Sequence, residues 1–504
     1  MIKPLPPLSL KLAFPAFSAN TSVVGTNQPR SQLHPHATFR TTDEVMNAAG
    51  AAQNDYETAP NSFTYGVQAQ DAALRAYITV CGDAALEEAR AAESELMSGR
   101  PRGPLHGVPI GLKDLFATAG VRTTGGSRIL ADALPGQDAT VVRRLRAAGA
   151  IVLGKLNMVE FAYGPEGRNP HYGDARNPWD AATARLAGGS SSGSAVAVAT
   201  GLAAAALGSD TGGSVRIPAS LSGITGLKPT YGRVSRAGVL PLAWSLDHVG
   251  PMARTAADCA VLLHAIAGYD AADASTSVLP VPDYLAALTG DLAGIRIGLL
   301  RGLFERTPAP EVGAAVEAAA AALRGAGAVV DEVTLARAGE AGPAVAAIVG
   351  AEALAYHAGW LRTRGSEYDP EVASRLRLGV LVSGVHYVRA QQVRGRLRED
   401  VDAALARRDV LLAPATPVPA PAVADRDVAL GDGPADVRSA LVRLTRPFNL
   451  SGHPACAVPC GFTAGGLPIG MQIVGRPFDE ATVLRVADAW QRITDWHTRR
   501  PPLA

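Results

Sequence analysis

The chain has 504 residues, 47% hydrophobic and 18% charged, which is ample material for a buried core and argues against a disordered or coiled-coil protein. Forty-seven Lys and Arg against 46 Asp and Glu leave a net charge of +1, so no field draws in nucleic acid or an acidic membrane surface. Length alone allows two or three average domains or one large α/β sheet.

Residues 1–62, rich in Pro, Asn, Thr and Gln without a sustained apolar period, read as an extended or disordered arm ahead of one domain over 63–504. The first 20 residues resemble a secretory signal only loosely. Lys11 and several prolines interrupt the apolar stretch, while Ala16 and Ser18 mimic a cleavage site, so a cytoplasmic location is expected with secretion left open. Cys81, Cys259, Cys456 and Cys460 form neither a disulfide framework nor a zinc knuckle and read as reduced thiols. No apolar run approaches the ~20 residues that span a bilayer.

From about residue 65 the pattern changes. "DAALEEARAAESELMSG" is an amphipathic helix closed by Gly99 and Pro101. "GVPIGLKD" and "AIVLGKLN" read as buried strands with "DATVVRRLRAAG" as a helix between them, and "SGSAVAVATGLAAAALGSD" as helix running into strand. Residues 310–410 read as a helical elaboration. "HPACAVPCGF" and "PIGMQIVG" add strands before a last helix, "DEATVLRVADAWQRIT". The alternation predicts an α/β fold: one large domain with a mixed, twisted β-sheet covered by helices on both faces.

Three segments carry chemistry: "PLHGVPIGLKDLF", "AGGSSSGSAVAVATG" and "LGSDTGGSVRIPAS". In the third, Gly212 and Gly213 let the backbone turn tightly before Ser214, so that successive N–H groups converge on one point. A serine is a poor nucleophile until a neighbour takes its proton. His106, His248 and His453 belong to no recognisable nucleophile–base arrangement. Lys113 lies among Val108, Ile110, Leu112, Leu115 and Phe116, where burial would favour the neutral amine. Taken alone, that segment fits a surface lysine at a strand end as well.

Together, the segments closely resemble the amidase signature family of serine hydrolases over most of residues 66 to 500. The resemblance extends to "LKPTYGRVSRAGVLPLAWSLDHVGPMART" and "PFNLSGHPACAVPCGFTAGGLPIGMQIVGRPFDE". It implies that family's fold and a Ser-cisSer-Lys relay: Ser214 as nucleophile, Ser190 as the bridging serine after a cis peptide, and Lys113 as base. It also implies an oxyanion hole from the N–H groups of Thr211, Gly212, Gly213 and Ser214, with Ser191, Asp210 and Arg216 supporting the relay. The implied reaction is acyl transfer from amides, with esters and carbamates of aryl or apolar groups as further substrates, and it needs no metal or cofactor.

Position 192 is Ser where the family more often has Gly, which bears on local packing rather than on the relay. "NMVEFAYG" falls near the pockets by the same resemblance, so Met158, Phe161, Ala162 and Tyr163 are expected to line them. Some relatives are the amidase component of an aminoacyl-tRNA amidotransferase. Residues 340 to 400 do not strongly resemble the glutamine-binding portion of those proteins, so a free-standing hydrolase of a small-molecule amide, ester or carbamate is favoured. No nucleic-acid or membrane partner is expected, and a homodimer is an assembly family members often form. Two rival motifs are weak: "GSSSG" fits a nucleophile elbow at Ser191 without the strand that must precede it, and "GAIVLGKL" mimics a P-loop with Leu156 in place of Ser or Thr.

Overall fold

The computed structural model describes Val67 and residues 70–502. The expected arm over 1–62 lies outside the described residues.

An eleven-stranded sheet organises the described residues. In chain order the strands are β1 (Tyr77–Val80), β2 (Pro109–Lys113), β3 (Ile151–Leu156), β4 (Ala205–Asp210), β5 (Thr225–Lys228), β6 (His248–Ala253), β7 (Arg296–Leu300), β8 (Val329–Val333) and β9 (Val410–Pro414). A separate hairpin, β10 (Asp427–Leu430) and β11 (Gly433–Asp436), precedes β12 (Ala455–Phe462) and β13 (Pro468–Gly475). The spatial order is β1-β3-β2-β4-β6-β5-β12-β13-β9-β7-β8. β2 runs parallel to β3 and β4, and β7 to β8 and β9; the remaining pairs are antiparallel, so the sheet is mixed.

Both faces are covered, as the uninterrupted apolar runs of β2 and β3 require. Side chains alternate across a strand. Along β3, Val152 joins one core with Leu145 and Leu262, whereas Ile151 and Leu153 join a second with Val196 and Val198. The helix Ser192–Thr200 buries every residue except its last. Its Ser, Gly and Ala residues permit that depth: a Cβ at Gly193 would fall 2.2 Å from the Ala76 carbonyl oxygen. Close packing of this helix sets the serine run deep in the molecule.

Two features stand beside the expectations. Residues 310–410 carry the helices Pro310–Gly325, Ala341–Arg364, Pro370–Leu378 and Gly384–Leu405, but also β8, an edge strand paired in parallel with β7. In addition, the helical stretch Ala338–Arg364 is long and apolar enough to cross a membrane by length and composition, with mean hydropathy 1.3. Its many alanines raise that value without a run of large apolar residues. In the fold Val345, Ile348, Val349 and Ala353 of this stretch are buried, and the helix packs on Gly384–Leu405.

Candidate active site

Lys113 is the last residue of β2, between β3 and β4, and is 0% exposed. Its Nζ donates to Ser190 Oγ at 2.7 Å and to Ser209 Oγ at 2.8 Å. Burial lowers its pKa to about 7, against the opposing charges of Asp210 and Asp247. The amine is therefore partly neutral at physiological pH and hydrogen-bonded to hydroxyls rather than to a carboxylate. Ser190 follows a cis peptide from Gly189.

The serine run is tied to the glycine turn through the backbone. Ser191 N donates to the Ser214 carbonyl at 3.3 Å, and Ser191 Oγ donates to the Ser209 carbonyl at 3.2 Å. Ser192 Oγ reaches the Asn157 carbonyl at 3.4 Å. Ser214 lines a cavity of about 130 Å³, and its hydroxyl makes no hydrogen bond among the described residues.

The turn Thr211–Ser214 links β4 to the helix Arg216–Ser222. Asp210 accepts from the N–H groups of Gly213 (2.8 Å), Val215 (3.2 Å) and Arg216 (3.3 Å), and from Arg216 Nε at 3.1 Å. Burial pushes the Asp210 carboxyl upward, but the Arg216 charge and hydrogen bonds outweigh it and hold the group below its ordinary value. Arg216 reaches further, to Asn449 Oδ1 at 2.6 Å and Gln472 Oε1 at 2.8 Å, which pins the turn to the far half of the sheet.

Glycine is required at 213, where φ is +128° and a Cβ would lie 2.2 Å from Thr445 Oγ1. Because Asp210 already takes the Gly213 N–H, that group is removed from the expected oxyanion donors. The N–H groups of Thr211, Gly212 and Ser214 have no acceptor among the described residues. Asp247 orients this stretch by accepting from Thr211 Oγ1 at 2.5 Å, and burial raises it to about 6. Thr445 Oγ1 donates to the Gly212 carbonyl at 2.7 Å.

Of the expected pocket residues, Ala162 and Tyr163 line the cavity. Met158 and Phe161 do not. Met158 is a fully buried core residue, and Phe161 stacks among His357, Trp360 and Tyr368 with ring centroids 4.5 to 5.9 Å away. Phe161 and Ala162 both adopt positive φ, +48° and +61°, so the local turn sends the ring inward and leaves its successors at the cavity.

Sequence reasoning missed Ser209, Asp247, Leu242, Val345, Val349, Arg438 and Arg446. A signal existed for two of them: Val345 and Val349 are one helical turn apart, on one face. None of the weighed histidines serves Ser214. His106 Nε2 pairs with the Ala92 carbonyl, His248 Nδ1 with the Leu246 carbonyl, and His453 Nε2 with Asp402. Among the described residues no group of three His, Cys, Asp or Glu could hold a metal ion.

A mixed sheet that buries a lysine against paired serine segments beneath a glycine turn is the frame of an amidase-signature enzyme. The chain belongs to the amidase family, whose profile matches residues 61–484. It is 48% identical over 461 residues, 87% of this chain and 93% of the relative, to a Roseiflexus sp. (strain RS-1) protein named as one of the subunits of glutamyl-tRNA(Gln) amidotransferase. The solved structure of a Thermotoga maritima protein of the same name is 33% identical with a TM-score of 0.73, over 88% of this chain and 93% of that one. The peptide amidase PAM, solved with the inhibitor chymostatin, is 35% identical with a TM-score of 0.75, over 92% and 99%. These findings correct the expected partners. The relatives are named as one component of an enzyme named for a tRNA, which overturns a partner set limited to a small-molecule substrate without nucleic acid. Near-neutral net charge misled because it averages over the whole surface and says nothing of an assembly.

Proposed function

We propose that the chain is the amide-hydrolysing component of a glutamyl-tRNA amidotransferase, taking ammonia from the side-chain amide of glutamine. The observation that carries this reading is 48% identity across 87% of the chain to a relative of that name, with the lysine–serine segments intact. The four cysteines are all free, in keeping with a reducing compartment.

The chemistry follows from the site. Neutral Lys113 draws a proton through Ser190 from Ser214, whose oxygen attacks the amide carbonyl. The N–H groups of Thr211, Gly212 and Ser214 receive the oxyanion, each good donor being worth roughly 3 kcal/mol. The proton returns by the same route to the leaving nitrogen, and water releases the acyl group from Ser214.

The test is ammonia release from glutamine, with 4-nitroanilide, aryl carbamate and 4-nitrophenyl ester substrates run beside it, with and without the partner proteins and tRNA of a related organism. Glutamine turnover, stimulated by the partners, is the expected result. Turnover of the esters or carbamates with glutamine untouched would overturn the amidotransferase reading.

A further inference from the structure

Fourteen residues line the Ser214 cavity, and the charged ones are both arginines, Arg438 and Arg446. Among the described residues no carboxylate lines it. Other buried guanidinium groups have partners: Arg216 is salt-bridged to Asp210 at 3.1 Å, Arg233 to Glu480 at 3.4 Å, and Arg254 donates to the Ala199 and His497 carbonyls. Neither cavity arginine has an ion pair or a side-chain hydrogen bond among the described residues, and Arg446 Nε is buried without a partner.

The nearby acids are committed elsewhere. Glu166, whose charge acts on Arg438, pairs with Arg375 at 3.9 Å. Asp436, whose charge acts on Arg446, caps a helix by accepting from Ser439 N at 3.0 Å. Burial, and then the neighbouring Arg438, lower Arg446 to about 10, which leaves it cationic at neutral pH. Two cations that repel each other inside one cavity, without a counter-ion, persist at a cost that an arriving anion removes.

Their placement fits a substrate group. Arg438 lies over the ring of Tyr163, 5.9 Å from its centroid. Arg446 adjoins the oxyanion turn: a Cβ on Gly212 would come within 3.9 Å of its Nε. Leu242, Val345, Val349 and Val442 supply the rest of the wall, suited to a short methylene chain.

We propose that Arg438 and Arg446 form a carboxylate-binding subsite of the Ser214 cavity, so that the substrate is an amide carrying a carboxylate a few methylenes from the scissile carbonyl. The inference rests on Ser214 being the amide-cleaving serine, but not on glutamine being the amide. The planar guanidinium fork matches a carboxylate in geometry and charge. The apolar wall covers the spacer, and the reacting carbonyl is left at the Thr211–Ser214 turn.

The experiment compares glutaramate with valeramide, amides matched in chain length that differ by the carboxylate, in wild type, Arg438→Met, Arg446→Met and Arg446→Lys. Arg443→Met is the control, because Arg443 sits nearby but is salt-bridged to Asp432 at 2.6 Å and does not line the cavity. Expected is a wild-type preference for glutaramate that falls at least about tenfold in Arg438→Met and Arg446→Met, mainly through KM. Arg446→Lys should retain part of it and Arg443→Met all of it. A preference unchanged in the variants, or equal losses on both amides, would overturn the subsite.

Calorimetry of glutarate with Ser214→Ala gives a readout free of turnover and of the choice of amide. Saturable binding lost in the Arg438→Met background supports the subsite, and absence of binding overturns it. Turnover of glutaramate but not of glutamine would sink the glutaminase reading and leave the subsite standing.

Discussion

Lys113 and Lys155 stand on adjacent parallel strands, and both are 0% exposed. In register Lys113 faces Leu156 and Lys155 faces Leu112, so alternation sends the two side chains to opposite faces of the sheet. On one face Lys113 donates, among the described residues, to hydroxyls alone, those of Ser190 and Ser209. On the other, Lys155 lies 3.7 Å from Asp114 Oδ1, donates to Thr123 Oγ1 at 2.7 Å and binds the Phe116 carbonyl. Burial lowers both, Lys113 to about 7 and Lys155 to about 8. Equal burial thus yields two kinds of lysine. One is hydrogen-bonded to serine hydroxyls, where the proposed relay has it exchange a proton, and the other is held in place as half of a buried ion pair.

Removing each amine should separate the two roles. Lys113→Ala is expected to lower kcat/KM for amide cleavage by roughly three powers of ten or more, with circular dichroism showing a folded chain. Retention of most activity would show that the proton leaves Ser214 by another route. Lys155→Met should do the reverse. It strands Asp114 in the interior, so urea denaturation should show a loss of about 3–5 kcal/mol, while kcat of the folded fraction stays within a few-fold. A change in activity without a change in stability would place Lys155 in the chemistry instead.

The same contrast sets a stability window. Both amines have folded pKa values below their unfolded ones, so each contributes stability that is present above about pH 10 and lost as pH falls, toward about 8 for Lys155 and about 7 for Lys113.

Much of this arrangement was legible in the residues. β2 and β4 are short apolar runs bounded by polar punctuation, with the lysine and the glycine turn at their ends, and the serine run opens the small-residue helix that leads into β4. What escaped notice was of three physical kinds. β8, reading Val-Val-Asp-Glu-Val, is an edge strand with most residues exposed, so no apolar period marks it. The cavity walls come from segments far apart in sequence, such as Val349, Val442 and Arg446, which only the tertiary fold brings together. Gly213 has the backbone of an oxyanion donor, but the Asp210 side chain, three residues earlier, occupies its N–H.

The smallest expected effect is the sharpest test of the lysine comparison. If the neutral amine of Lys113 is the base, kcat/KM should climb with pH and level off, with a midpoint near the pKa of about 7. Ser209 bears directly on that midpoint. Its hydroxyl accepts a hydrogen bond from the ammonium at 2.8 Å and so favours the charged form. Ser209→Ala removes this support while Ser190 remains, so the acid limb should move to lower pH, with the plateau reduced by no more than about tenfold. Asp247, raised to about 6, should steepen the fall below that pH as its hold on Thr211 changes. A limb that stays where it was in Ser209→Ala would mean that the titrating group is not Lys113. In the double variant the urea shifts of Ser209→Ala and Lys155→Met should simply add, because the two lysines share a sheet but not a face.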